Sequence, residues 1–174
     1  ELQKAMEQTQ AVIEERVNQM GLAEPVVTIE GDKRIRVELP GAEDAQEAIE
    51  QIGKTAQLQF ALADGTIVLD GGSVKDASVT TDQDSAGYAV ALEFDSKGAD
   101  AFYEATVKAY SGAVQSSVEG VNNDAIMILL DNQIISAPSV NNGPISGGKC
   151  TITGNFSQEE ASNLTALIKG GALP

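Results

Sequence analysis

The stretch that decides the fold is the last third of the chain. It reads Asp131-Asn132-Gln133-Ile134-Ile135-Ser136-Ala137-Pro138, Pro144-Ile145-Ser146-Gly147-Gly148, Ile152-Thr153-Gly154-Asn155-Phe156-Ser157 and a closing Gly170-Gly171-Ala172-Leu173-Pro174. The Asp131-Asn132-Gln133 turn joins two apolar runs, residues 126–130 and 134–140, as a β-hairpin does. Proline cannot donate to a central ladder, so Pro138 belongs at the end or edge of its strand. A third strand over residues 150–153 feeds a helix. Ser157 is its N-cap, and Glu160, three residues on, completes a capping box. Defined backbone geometry is dense here and reactive side chains are scarce.

Upstream, the pattern predicts one further strand–helix unit and some short strands. Gly65-Thr66 and Gly71-Gly72 are turn signals, residues 74–79 read as a short strand, and residues 82–87 as a polar loop. Tyr88, Val90, Leu92 and Phe94 alternate on one face of a strand. Ser96 is expected to cap a helix reaching about Ala109, burying Ala99, Phe102, Ala105 and Val107. Residues 112–123, rich in Gly, Ser and Asn, read as loop. Phe94-Asp95-Ser96 with Ala99 and Phe102 parallels Phe156-Ser157 with Ala161 and Leu164, a weak internal repeat. Convergence on one strand-to-helix solution accounts for it better than duplication.

The first third reads helix-strand-strand-helix-strand. Leu2, Met6, Val12 or Ile13, Val17 and Met20 recur near helical spacing, and Gly21 ends that helix. Residues 26–30 and 34–39 alternate at period two around Gly31-Asp32-Lys33. A second helix over residues 45–52 takes Asp44 as N-cap, and residues 57–63 form a strand. This is a ferredoxin-like split βαβ order lacking its opening strand. The fold class expected is therefore α+β: residues 1–63 a partial ferredoxin-like base, and residues 64–174 a head unit of antiparallel strands and two helices. A hinge is expected near residues 63–66. The missing central strand leaves edges unpaired, which predicts self-association of the isolated chain.

Composition limits the chemistry. The 174 residues carry a formal net charge of −15, with no His, no Trp and a single Cys. Nucleic-acid binding needs clustered Lys and Arg to replace phosphate counterions, and no such cluster occurs, so no nucleic acid is expected. One cysteine, Cys150, makes an intrachain disulfide impossible, and without His a thiol nucleophile lacks its usual activator. Cys150 reads as a strand position. Cys/His zinc sites and a Ser-His-Asp triad cannot be built. Asp82, Asp84 and Gly87 only faintly resemble a calcium loop, whose terminal Glu is missing. Asp82/Asp84 and Glu159/Glu160 are carboxylate pairs in solvated positions, so neither is poised for acid–base work. Gly147-Gly148-Lys149 is too short for a P-loop, and Ser96 and Lys97 point apart at a helix start. No enzyme is expected, and no catalytic, metal or cofactor-binding residue is assigned. No apolar run approaches the roughly 20 residues that span a bilayer.

The segment 131–174 resembles the first extracytoplasmic domain of SecD and of fused SecDF, membrane-bound accessories of the bacterial Sec export channel. Two further segments resemble the same family in the same order. One is Glu14-Glu15-Arg16-Val17-Asn18-Gln19-Met20-Gly21-Leu22-Ala23-Glu24-Pro25-Val26-Val27. The other is Val37-Glu38-Leu39-Pro40-Gly41 followed by Ile52-Gly53-Lys54-Thr55-Ala56-Gln57-Leu58. The resemblance implies a domain cut from a larger plasma-membrane protein, on the extracytoplasmic side, with the first third nearest the membrane. It implies as partners an unfolded preprotein and, through the parent protein, SecF or a SecF-like half and the SecYEG channel. The implied role is contact with emerging preprotein during late, proton-motive-force-dependent export; the proton-carrying residues would lie in membrane helices outside this chain. The substrate-binding surface is unassigned. Two other readings compete: a structural spacer that holds membrane helices or partner subunits in register, and an acidic hydrolase built on a carboxylate pair.

Overall fold

The structure is a computed structural model and describes residues 1–22 and 24–171. Ala23 of the second quoted motif and the closing Ala172-Leu173-Pro174 lie outside the described residues. The chain opens on α1 (Leu2–Gln19), which stops at Gly21 in a left-handed conformation (φ +70°). Strands β1 (Val26–Glu30) and β2 (Arg34–Glu38) pair antiparallel, Val26 opposite Glu38 and Glu30 opposite Arg34. Helix α2 (Ala45–Gly53) is capped by Asp44, whose carboxylate accepts the Glu47 N–H at 3.1 Å. Ile13, Val17, Val27 and Ile52 form a small core, with Met20, Leu22, Ile35, Val37 and Leu39 packed around it.

The remaining elements are β3 (Leu58–Leu62), β4 (Ile67–Asp70), β5 (Val74–Thr81), β6 (Tyr88–Phe94), α3 (Ser96–Tyr110), β7 (Ile126–Leu130), β8 (Gln133–Ser136), β9 (Lys149–Phe156) and α4 (Gln158–Gly170). They make two antiparallel sheets, in strand orders β4-β3-β7-β8 and β5-β6-β9. A larger core fills the space between these sheets, α3 and α4. Its centre is Phe60, Phe94 and Phe102, one from each of β3, β6 and α3, with ring centroids 5.1–6.1 Å apart. The two edge-on contacts, both made by Phe60, contribute about 0.5–1.5 kcal/mol each beyond their buried area. Helix α4 lies between the larger core and α1. Ala161, Leu164 and Ile168 join that core, and its other side packs on α1.

The α+β class, the antiparallel sheets and the order of elements read from the sequence are those of the structure, with four differences. The strand expected at 57–63 forms as β3, but it pairs with β7 and β4, not with β1 or β2. Its burial explains the choice: Leu58, Phe60, Ala61 and Leu62 are all buried, and the two-stranded β1–β2 ribbon has no comparable apolar surface to cover both of its faces. The expected hinge at 63–66 is instead a tight turn inside one sheet. Leu62 N–H donates to the Thr66 carbonyl and Ser117 N–H to the Ala63 carbonyl, at 2.9 and 3.0 Å. Strand β4 was not expected, being only four residues between two glycine turns, too short for a period to register. Finally, Asp95 and not Ser96 caps α3, accepting the Gly98 N–H at 2.7 Å. The buried face is Gly98, Phe102, Ala105, Thr106 and Ala109; Val107, five positions from Phe102, falls off this 3.6-residue stripe and is exposed, and Ala99 is half-buried. The Asp95 cap puts the internal repeat in register: the cap directly follows Phe94 in one copy and Phe156 in the other, and β6 and β9 lie side by side.

Candidate functional site

Two places gather the quoted motifs. The first is an apolar cleft of about 210 Å³ lined by Phe102 of α3, Ile126 of β7, Pro138, Val140, Ile145 and Cys150. The hairpin predicted at Asp131 builds one wall. Asp131 and Asn132 both take left-handed conformations (φ +51° and +65°), the two-residue turn that matches strand twist. Beyond β8 the pairing continues irregularly, with Ile126 N–H donating to the Pro138 carbonyl at 3.0 Å. Pro138 thus lies beyond the edge strand, where its lack of an N–H breaks no ladder. The connection 141–148 is stitched over α3 by Thr106, whose hydroxyl accepts the Ile145 N–H at 2.9 Å and donates to the Tyr103 carbonyl at 2.8 Å. Gly148 closes the wall: a Cβ there would sit 2.9 Å from the Ala99 Cβ, so only glycine lets β9 start this close to α3. Cys150 lines this cleft, and burial pushes its thiol up to about 12. β8, which ends two positions before Pro138, is the last strand of its sheet, with Ile134 41% exposed.

The second place is the crossing from α2 to β3, residues 54–57. Arg16 of α1 is 2% exposed and reaches this segment from one side. Its Nη1 donates to the Ile52 carbonyl at 2.6 Å and to the Lys54 carbonyl, and its Nη2 to the Thr55 carbonyl at 3.4 Å and the Gly171 carbonyl at 2.8 Å. From the other side, the Asp131 carboxylate accepts the Ala56 and Gln57 N–H groups at 3.1 and 2.8 Å, and Asp131 N–H donates back to the Gln57 carbonyl at 2.9 Å. Ala56 itself has φ +55°, sparsely populated for a residue with a Cβ. Burial lowers the affinity of the guanidinium for its proton, and the charge on Asp131 opposes that shift. Gly170 lets α4 approach, since a Cβ there would fall 2.7 Å from the Arg16 Cγ.

Of the carboxylates considered in the sequence, Asp82 and Glu160 are occupied locally. Asp82 accepts the Asp84 N–H at 3.0 Å and the Ser85 hydroxyl at 2.8 Å, and the Ser85 contact chiefly holds its carboxyl below the usual range. Glu160 accepts the Ser157 N–H at 2.9 Å in the capping box. No group of three or more His, Cys, Asp or Glu side chains able to hold a metal occurs among the described residues. The residue that sequence reasoning passed over is Arg16. Its signal was present: at Ile13, Arg16, Val17, Met20 it stands on the apolar stripe of α1, where a charge demands partners.

Comparison with known proteins gives one answer. Residues 42–174 match the family model described as SecDF, P1 head subdomain, and residues 6–65 the one described as protein translocase subunit SecDF, P1 domain, N-terminal. Protein translocase subunit SecD of Leptotrichia buccalis is 40% identical over 97% of this chain and 40% of its own length. SecD of Acidaminococcus fermentans is 39% identical over 94% of this chain and 36% of its own. The chain therefore spans about two-fifths of these relatives. A crystal structure of SecDF in its super-membrane-facing form superposes with a TM-score of 0.82 at 28% identity, covering 100% of this chain and 27% of that one. A structure of SecDF, a membrane component that enhances protein export, gives 0.77 at 29% identity, over 100% of this chain and 90% of that one.

Proposed function

The chain belongs to the SecD/SecDF protein translocase subunit family, as its P1 domain, and on that premise we propose that it contacts unfolded preprotein outside the cytoplasm during Sec-dependent export. The parent protein then works with a SecF-like half and the SecYEG channel, and its membrane helices supply the coupling to the proton-motive force. No helix among the described residues is long and apolar enough to cross a membrane.

One observation carries the proposal: β8, whose outer edge is unpaired among the described residues, ends two positions before Pro138 of an apolar cleft. An extended chain can add its backbone to such an edge while an apolar side chain enters the pocket, a mode that suits unfolded substrates of varied sequence. Affinity is modest, because ordering a flexible ligand consumes much of the interaction energy. The test is binding of an unfolded secretory protein against its folded form, with I134D and I145D as variants. Preferential binding of the unfolded form, weakened by both substitutions, supports the reading. Equal affinity for both forms, or binding unchanged by both variants, removes it.

The second reading, a spacer without substrate contact, is favoured by the dense bonding at 54–57. It predicts that I134D and I145D leave export intact in cells while substitutions in either core abolish it. Under both readings we place the boundary between the two units in the 54–57 crossing, because β3 belongs to the second sheet. The β1–β2 ribbon has both outer edges unpaired among the described residues. Self-association of the isolated chain at high concentration follows, and light scattering that returns a monomer mass throughout contradicts it.

A further inference from the structure

The two cores share no residue, and the chain passes between them along the 54–57 segment. An ordinary linker leaves its peptide groups to water. Here they are taken by two charged side chains of opposite sign, one from each unit. The carbonyls of Ile52, Lys54 and Thr55 turn to the Arg16 guanidinium, and the amides of Ala56 and Gln57 to the Asp131 carboxylate. Charge-assisted hydrogen bonds are shorter and stronger than neutral ones, and the planar guanidinium presents donors over a spread that an ammonium does not. The same guanidinium also holds the carbonyl of Gly171 at the end of α4. No described salt bridge engages Arg16; the bonds of its Nη1 and Nη2 all go to backbone carbonyls.

We propose that Arg16 and Asp131 form a two-sided clamp on residues 54–57 that fixes the orientation of the second unit on the first, with Arg16 as the positioning residue. The left-handed Ala56 is the strained turn of this strap, and the clamp holds it there.

The test uses the whole 174-residue chain in a C150A background, with spin labels at Ile49 of α2 and Tyr103 of α3, which are 59% and 44% exposed. Electron–electron distance measurement gives a narrow distribution with the clamp intact. R16M and D131N each broaden it, and R16K does not restore it. The double variant is no broader than R16M alone, because both side chains act on one strap. Asn tolerates the left-handed turn at 131, so D131N removes charge and keeps the hairpin. Exchange of the Gln57 amide accelerates about tenfold in D131N, with amides of β6 unchanged. Because Asp131 is exposed, D131N decides the matter even where R16M does not fold. A D131N chain with the distribution and Gln57 exchange of the parent overturns the clamp. None of these readouts involves preprotein, so they stand or fall apart from the function proposed above.

Discussion

At the scale of single residues, a few side chains carry most of the specification. Arg16 is buried with four backbone carbonyls around it. Replacing it by Met leaves those acceptors in a dry site, and we expect a loss of about 2–4 kcal/mol, read as a lower midpoint in urea. Its Nε and the Gln51 Oε1 are both buried without a partner among the described residues, and both residues border one cavity of about 10 Å³, the room of a single water. Gly170→Ala adds a methyl 2.7 Å from the Arg16 Cγ; overpacking of about 1–3 kcal/mol outweighs the gain in helix propensity. Cys150 offers a pH handle. Its ordinary value is 9.0 and its folded value about 12, raised by burial. Folding thus favours the neutral thiol: the contribution is complete below pH 9.0 and is lost as pH rises towards 12. A thiol reagent at pH 8 should label the native chain slowly and the urea-unfolded chain at once. Cys150 is half-buried on the cleft wall, so fast labelling of the native chain contradicts the raised value.

Elements were legible where a cap or an alternation marks them. Ser157 with Glu160 announced α4, Asp44 announced α2, and the alternation from Tyr88 to Phe94 announced β6. Ser157→Ala is expected to cost about 1 kcal/mol, since it removes the acceptor for the Glu160 N–H and half of the capping box; an unchanged thermal midpoint contradicts it. The sequence did not reveal partnership. Leu58–Leu62 reads as a strand from its own residues, but its partner β7 lies more than sixty positions away, and nothing local says which sheet wins. What decides is that every residue of β3 except Gln59 is buried, which only a strand flanked on both sides satisfies. The cap of α3 was misplaced by one for a similar reason: Asp95 and Ser96 both cap well, and only the Gly98 contact separates them. Of the candidate sites, the cleft's hairpin and glycines stood in the quoted motifs, and the clamp's two charges stood there unrecognised. Arg16 looked like one more polar residue on a helix, and Asp131 like one more turn residue.

At the scale of the whole molecule, four motifs scattered through the sequence meet at one junction. Arg16, the 53–58 segment, Asp131 and Gly170-Gly171 are separated by up to 155 positions and lie together in space. A family resemblance that had no catalytic content has a mechanical one. The bond from Arg16 to Gly171 has a bearing on biosynthesis. A ribosome releases α1 early, yet the guanidinium must wait for the final helix before its last acceptor exists, and β3 must wait for β7. The amino-terminal portion therefore leaves the exit tunnel unfinished and is fastened only when translation of this region is nearly complete.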